Sequence, residues 1–149
     1  MTKTILILNG PNLNLLGTRQ PEQYGYETLN DVAELCTRAA ADFDCGVLMR
    51  QSNAEGELVD WIHEARNTTS GIVINAGAYS HTSIAILDAL NTYDGSIVEV
   101  HVSNIHAREE FRHHSYISGR ADGVIVGCGV QGYVFAIQRI GAMLAMSGS

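Results

Sequence analysis

Five short apolar runs recur along this chain, at positions 3–9, 46–51, 71–75, 96–102 and 122–127, and this rhythm restricts the fold most. Helical patterning falls between or after them at 28–43, from about 55 to 66, at 82–93 and at 131–146. Thr28-Leu-Asn-Asp31 and Ser52-Asn-Ala-Glu55 read as capping boxes opening the first two helices. Strands separated by crossovers of this length pair in parallel, and a parallel sheet needs helices on both faces. The pattern predicts an α/β fold of three layers, with a five-stranded parallel sheet in the order 2-1-3-4-5. With 149 residues, 46% of them hydrophobic and 17% charged, one domain over 1–149 is expected.

Two gaps break the rhythm, at 10–26 and at 103–121. Both leave the carboxyl ends of strands, where ligands bind in open α/β sheets, and loops beyond ~12–15 residues are usually functional. The strand ends gather amides and hydroxyls: Asn9 and Asn12, Gln51 to Asn53, Asn75 to His81, and Ser103 with Asn104. The two long loops add Arg19, Arg108 and Arg112. Such a rim suits a small, hydroxyl-bearing anion, although Asn, Ser and Gly also cap turns.

The fourth strand carries the sharper signal. A strand covered on both faces should be continuously apolar, yet Glu99 and His101 interrupt it two residues apart, on one side. A buried carboxylate is costly unless paired. Paired, it holds the imidazole in one tautomer and favours its protonated form, which makes a general acid. In the first loop lie Arg19, Tyr24 and Tyr26. A phenol titrates near ~10, so tyrosine serves as a base at neutral pH only beside a cation. Arg19, five residues from Tyr24, is the nearest along the chain.

Composition removes other chemistries. Lys3 is the sole lysine among nine basic residues, at the wrong end of the first strand for an imine-forming site. Net charge is −7, which argues against nucleic acid and anionic membranes as partners. No apolar run has the ~20 residues of a membrane span, and the apolar stretch before Asn9 is short for a secretion signal, so a cytoplasmic protein is expected. Cys36, Cys45 and Cys128 form no CxxC and read as buried free thiols. His101, His106, His113 and His114 match no metal-binding framework, and no metal is expected. Gly127-Cys-Gly-Val-Gln-Gly132 fits GxGxxG, but the chain ends before an acidic partner strand, so it reads as a tight strand-to-helix turn. A flavodoxin-like module for FMN or a phosphate is the alternative reading. It requires a phosphate loop after the first strand, where Pro11 and Asn12 stand instead.

Taken together, these segments resemble the type II 3-dehydroquinate dehydratases. The similarity rests on Asn9-Gly-Pro-Asn-Leu-Asn-Leu-Leu-Gly-Thr-Arg19 with Tyr24-Gly25, and on Gln51-Ser-Asn-Ala-Glu-Gly56. It continues through Asn75-Ala-Gly-Ala-Tyr-Ser-His81-Thr-Ser83, Glu99-Val-His101-Val-Ser103 onward to Arg112, and Gly127 to Tyr133. The resemblance implies a flavodoxin-like fold and cofactor-free dehydration of 3-dehydroquinate to 3-dehydroshikimate through an enolate, a shikimate-pathway step. It implies Tyr24 as the base at C2 with Arg19 stabilising its phenolate, Asn12 as holder of a water at the enolate, and His101, oriented by Glu99, as the acid at the C1 hydroxyl. It further implies that Asn75 and the backbone of Val102 and Ser103 bind the carboxylate, and that His81 and Arg112 bind ring hydroxyls. Asp88 would arrive from a neighbouring subunit to meet Arg108 near Tyr24, in a dodecamer built of trimers. Gln20 stands where the family usually has Glu, and Val102 where Ile is frequent. The single lysine agrees with an enolate route over an imine.

Overall fold

Ile5, Leu6, Ile7 and Leu8 are all buried, so the first strand, β1 (Lys3–Asn9), feeds apolar side chains to both faces of the sheet. The computed structural model describes residues 3–147; positions 1–2 and 148–149 of the expected domain lie outside them. β2 (Cys45–Gln51), β3 (Gly71–Asn75), β4 (Ser96–His101) and β5 (Gly123–Val126) complete a parallel sheet of order β2-β1-β3-β4-β5, as expected.

After a short helix α1 (Pro21–Tyr24), the crossovers are α2 (Leu29–Ala41), α3 (Glu55–Thr68) and α4 (Ile84–Leu90), with α5 (Gln131–Met146) closing the chain. The capping box of α2 forms as read, with Thr28 accepting from the Asp31 N–H and Asp31 accepting from the Thr28 N–H. Val32, Cys36 and Ala40 then recur every fourth residue on its buried face. One sheet face packs Ile5, Ile7, Val73 and Val98 against α2 and α5. The other packs Leu6, Leu8, Ile72, Ile74 and Ile97 against Leu58 and Ile62 of α3 and Ile86 and Leu90 of α4. Each such side chain contributes roughly 1.5–3 kcal/mol on full burial, the main term holding the layers together.

Several local readings are corrected. Ser52 does not cap α3; the cap is Ala54, because the Ser52 hydroxyl turns to Glu57 and accepts from the Ala54 N–H. The helix expected over 82–93 spans Ile84–Leu90, since Ser83 takes the capping position by accepting from the Ile86 N–H. Cys36 and Cys45 are buried free thiols, with burial pushing Cys36 up to about 12. Cys128 is exposed instead, because it sits in a turn between Gly127 and Gly129, both at positive φ. That turn is the GxGxxG segment, and it delivers its N–H groups to β4: Gly127 to the His101 carbonyl and Gly129 to that of Val102. Among the described residues, no helix is long and apolar enough to cross a membrane.

Candidate active site

The exits of β1 and β3 touch. Gly10 donates to the Asn75 carbonyl at 2.8 Å, and a Cβ at Gly10 would lie 2.2 Å from the Ala76 carbonyl oxygen, so only glycine fits there. Above this junction opens a cleft, continuous with solvent. Its lining includes Asn12, Arg19, Tyr24, Asn75, His81, His101, Val102, Ser103, Arg108 and Arg112. The two long loops and the ends of β3 and β4 thus bring the expected residues together, with two exceptions. Glu99 lies behind His101, and Asp88 is exposed on α4, outside the cavity of its own chain. Three arginines and no carboxylate line the cavity, giving a positive pocket in a chain of net charge −7.

The loop after β1 is pinned by buried Leu13 and Leu16, and Pro21 opens α1, whose last residue is Tyr24. The Arg108 Nη1 donates to the Tyr24 hydroxyl at 2.7 Å, and also to the Ser103 hydroxyl at 3.3 Å. The guanidinium carbons of Arg19 and Arg108 each lie 5.6 Å from the Tyr24 ring centroid. Sequence proximity pointed to Arg19 as the phenolate's cation, yet the direct bond comes from Arg108. Two guanidinium groups thus flank the phenol, one of them bonded to its oxygen.

On β4, Glu99 is 0% and His101 4% exposed, so the pair is buried, as the two-residue spacing predicted. His101 Nε2 and Glu99 Oε2 share a short hydrogen bond. That leaves Nδ1 as the ring nitrogen available to the cavity. Ser115 and Ser118 also donate to Glu99, at 2.7 and 2.6 Å. Burial works to raise the Glu99 pKa, but the bonds from His101 and Ser118, the imidazole's charge and the bond from Ser115 together hold the carboxyl below its usual range. His81 stacks on His101 at 6.3 Å between ring centroids, and its Nδ1 donates to the His114 carbonyl at 2.8 Å. Burial lowers the His81 pKa, and the like charges of His101 and Arg112 add to this despite the carbonyl of His114 and the carboxylate of Glu99. Burial thus favours the neutral ring, in which Nδ1 carries the proton given to His114 and Nε2 is an acceptor.

Sequence reasoning missed two supports. Asn12, at φ 70°, has its N–H held by Asn53 Oδ1 at 3.0 Å, while Gln51 Nε2 reaches the same oxygen and the Gly10 carbonyl. Asn75 donates to the hydroxyl of fully buried Tyr133 at 2.9 Å, and Tyr133 donates to Asn9 Oδ1 at 2.7 Å. Burial keeps Tyr133 protonated by raising its pKa. Tyr133→Phe should cost about 1–3 kcal/mol, because it strands the buried Asn9 oxygen and frees Asn75. A lower urea midpoint at constant m-value is the expected result; an unchanged midpoint would remove Tyr133 from this network.

A positive, amide-rimmed cavity at the carboxyl ends of a 2-1-3-4-5 parallel sheet, holding a cation-bonded phenol and an imidazole backed by a buried carboxylate, is the make-up of an α/β enzyme site suited to a small organic anion. Residues 3–141 match the family described as dehydroquinase class II. Over 146 residues the chain is 70% identical to a 3-dehydroquinate dehydratase of Streptomyces coelicolor, covering 97% of this chain and 92% of that protein. To the Streptomyces avermitilis 3-dehydroquinate dehydratase it is 71% identical, with 93% of this chain and 88% of that protein covered. The type II dehydroquinase structure from Propionibacterium acnes superposes with a TM-score of 0.91 at 44% identity, covering 95% of this chain and 98% of that one. The chain belongs to the class II dehydroquinase family.

Proposed function

We propose that this chain dehydrates 3-dehydroquinate to 3-dehydroshikimate through an enolate, with Tyr24 as base and His101 as acid in one catalytic domain. The observation that carries this reading is the presence, on one positive cavity, of a phenol bonded to Arg108 and an imidazole bonded to buried Glu99. Tyr24, as phenolate, takes the proton at C2, and the electron pair moves into the neighbouring ketone. Asn12 holds a water on the resulting oxyanion. The pair then returns to form the C1–C2 double bond as the C1 hydroxyl departs with a proton from His101, so water is the sole by-product. Asn75 and the backbone of Val102 and Ser103 hold the substrate carboxylate. His81 and Arg112 bind the ring hydroxyls. No step draws on a cofactor or a lysine, in keeping with the single Lys3. The direct test is to mix the protein with 3-dehydroquinate: ultraviolet absorption of a conjugated enone should grow, and its absence would refute the reaction.

A homo-oligomer, a dodecamer of trimers, belongs to the same reading. Asp88 is exposed on α4, so it serves a site only across a subunit boundary, where it would face Arg108 and Tyr24 of the adjoining chain. Asp88→Asn should lower kcat without unfolding the subunit. Mixing impaired Asp88→Asn subunits with Tyr24→Phe subunits should raise activity above that of either variant alone, because some interfaces join an intact Tyr24 to an intact Asp88. No recovery in verified mixed oligomers would end the shared-site reading.

A further inference from the structure

We infer that Ser115 and Ser118 are positioning residues for the elimination step: they hold the Glu99 carboxylate and, through it, set the proton that His101 delivers. This rests on the proposed role of His101 as acid. Glu99 is fully buried in mid-strand, and the residues in register beside it, Ile74 on β3 and Val124 on β5, offer no polar group. A carboxylate there needs donors from the protein itself. His101 and Ser115 both bond Oε2, and Ser118 bonds Oε1. The Ser115 hydroxyl donates to Glu99, because an ionised carboxylate can only accept, and its oxygen in turn accepts from the Ile117 N–H.

These hydroxyls are held by a rigid segment. Ile117, between them, is 0% exposed in the core beneath α3 and α4. The Tyr116 N–H donates to the Ser80 carbonyl, and Arg120 donates to the carbonyls of Tyr93 and Gly95. Neither serine lines the cavity, so neither touches substrate. His81 stacks on His101, and the charge of Arg112 acts on His81. Neither donates a hydrogen bond to Glu99. The two hydroxyls therefore decide how strongly the carboxylate pulls on the imidazole proton. Without them Glu99 takes up a proton at higher pH, and the ion pair at His101 is lost over a wider acidic range.

The test compares Ser115→Ala/Ser118→Ala with the threonine pair, Ser115→Thr/Ser118→Thr, which keeps both hydroxyls. The alanine pair should lower kcat about tenfold or more with KM within about twofold, following the usual strength of bonds to charged groups. The acidic limb of its kcat–pH profile should move to higher pH, and the threonine pair should restore both. If the alanine pair does not fold, Ser118→Ala alone carries the same readings, in the same directions. An unmoved limb, a change confined to KM, or a folded threonine pair as impaired as the alanine pair would overturn the inference. His101→Ala, run in parallel, separates the two proposals. If it slows elimination alone while the serine variants leave kcat and the limb in place, only this inference falls. If it slows C2 proton exchange and dehydration by the same factor, the acid assignment falls and takes this inference with it.

Discussion

Replacing Tyr24 with phenylalanine is expected to reduce kcat by about three orders of magnitude, within the usual contribution of a positioned acid or base. The substitution removes one oxygen and leaves the ring between Arg19 and Arg108, which both approach it at 5.6 Å. Tyr24 is only half-buried and its hydroxyl bonds Arg108, which retains Ser103 as a partner, so the fold and the cavity should persist. Binding of an unreactive substrate analogue should change little, because the loss falls on the transition state. Retention of more than about a tenth of kcat, equivalent to ~1.4 kcal/mol of barrier, would rule out Tyr24 as the base.

His101→Ala should also lose about two to four orders of magnitude in dehydration. Its consequences differ from those of Tyr24→Phe, because His101 is part of a buried pair. Removing the imidazole leaves the Glu99 carboxylate with Ser115 and Ser118 as its donors and opens a void toward the cavity. The subunit should therefore lose stability as well as activity, with Tm falling about 2–4 °C for each kcal/mol lost in a chain of this size. Glu99→Gln should show the opposite balance. It removes the buried charge and the imidazole's anionic partner, so turnover should fall further than stability.

The sheet was readable because a buried parallel strand is largely apolar, and all five runs stand out against the polar segments between them. The Glu99–His101 pair was readable for the same reason, since two polar residues on one side of a buried strand violate the rule unless they meet each other. What escaped had no local signature. Arg108 bonds Tyr24 across 84 positions; the five-residue spacing singled out Arg19, and only the family resemblance put Arg108 near Tyr24. Ser115 and Ser118 lie in a loop without periodicity, and their spacing resembles that of any polar turn. Tyr133 begins an apolar helix and reads as core, which it is; nothing local says that its hydroxyl will join Asn9 to Asn75. Asn53, read as part of a helix cap, instead holds the left-handed backbone of Asn12. These are contacts between distant segments, set by the closed fold and not by short-range pattern.

The division of labour between the phenol and the imidazole is the central claim, and the two chemical steps separate it. With 3-dehydroquinate in deuterium oxide, nuclear magnetic resonance follows exchange of the C2 proton while ultraviolet absorption follows the enone. Tyr24→Phe should lose both signals together, because elimination waits on the enolate. His101→Ala should keep C2 exchange near that of the unaltered protein while enone formation falls by about two orders of magnitude or more. If His101→Ala slows exchange and enone formation by the same factor, His101 is not a separate acid and the two-residue account is wrong.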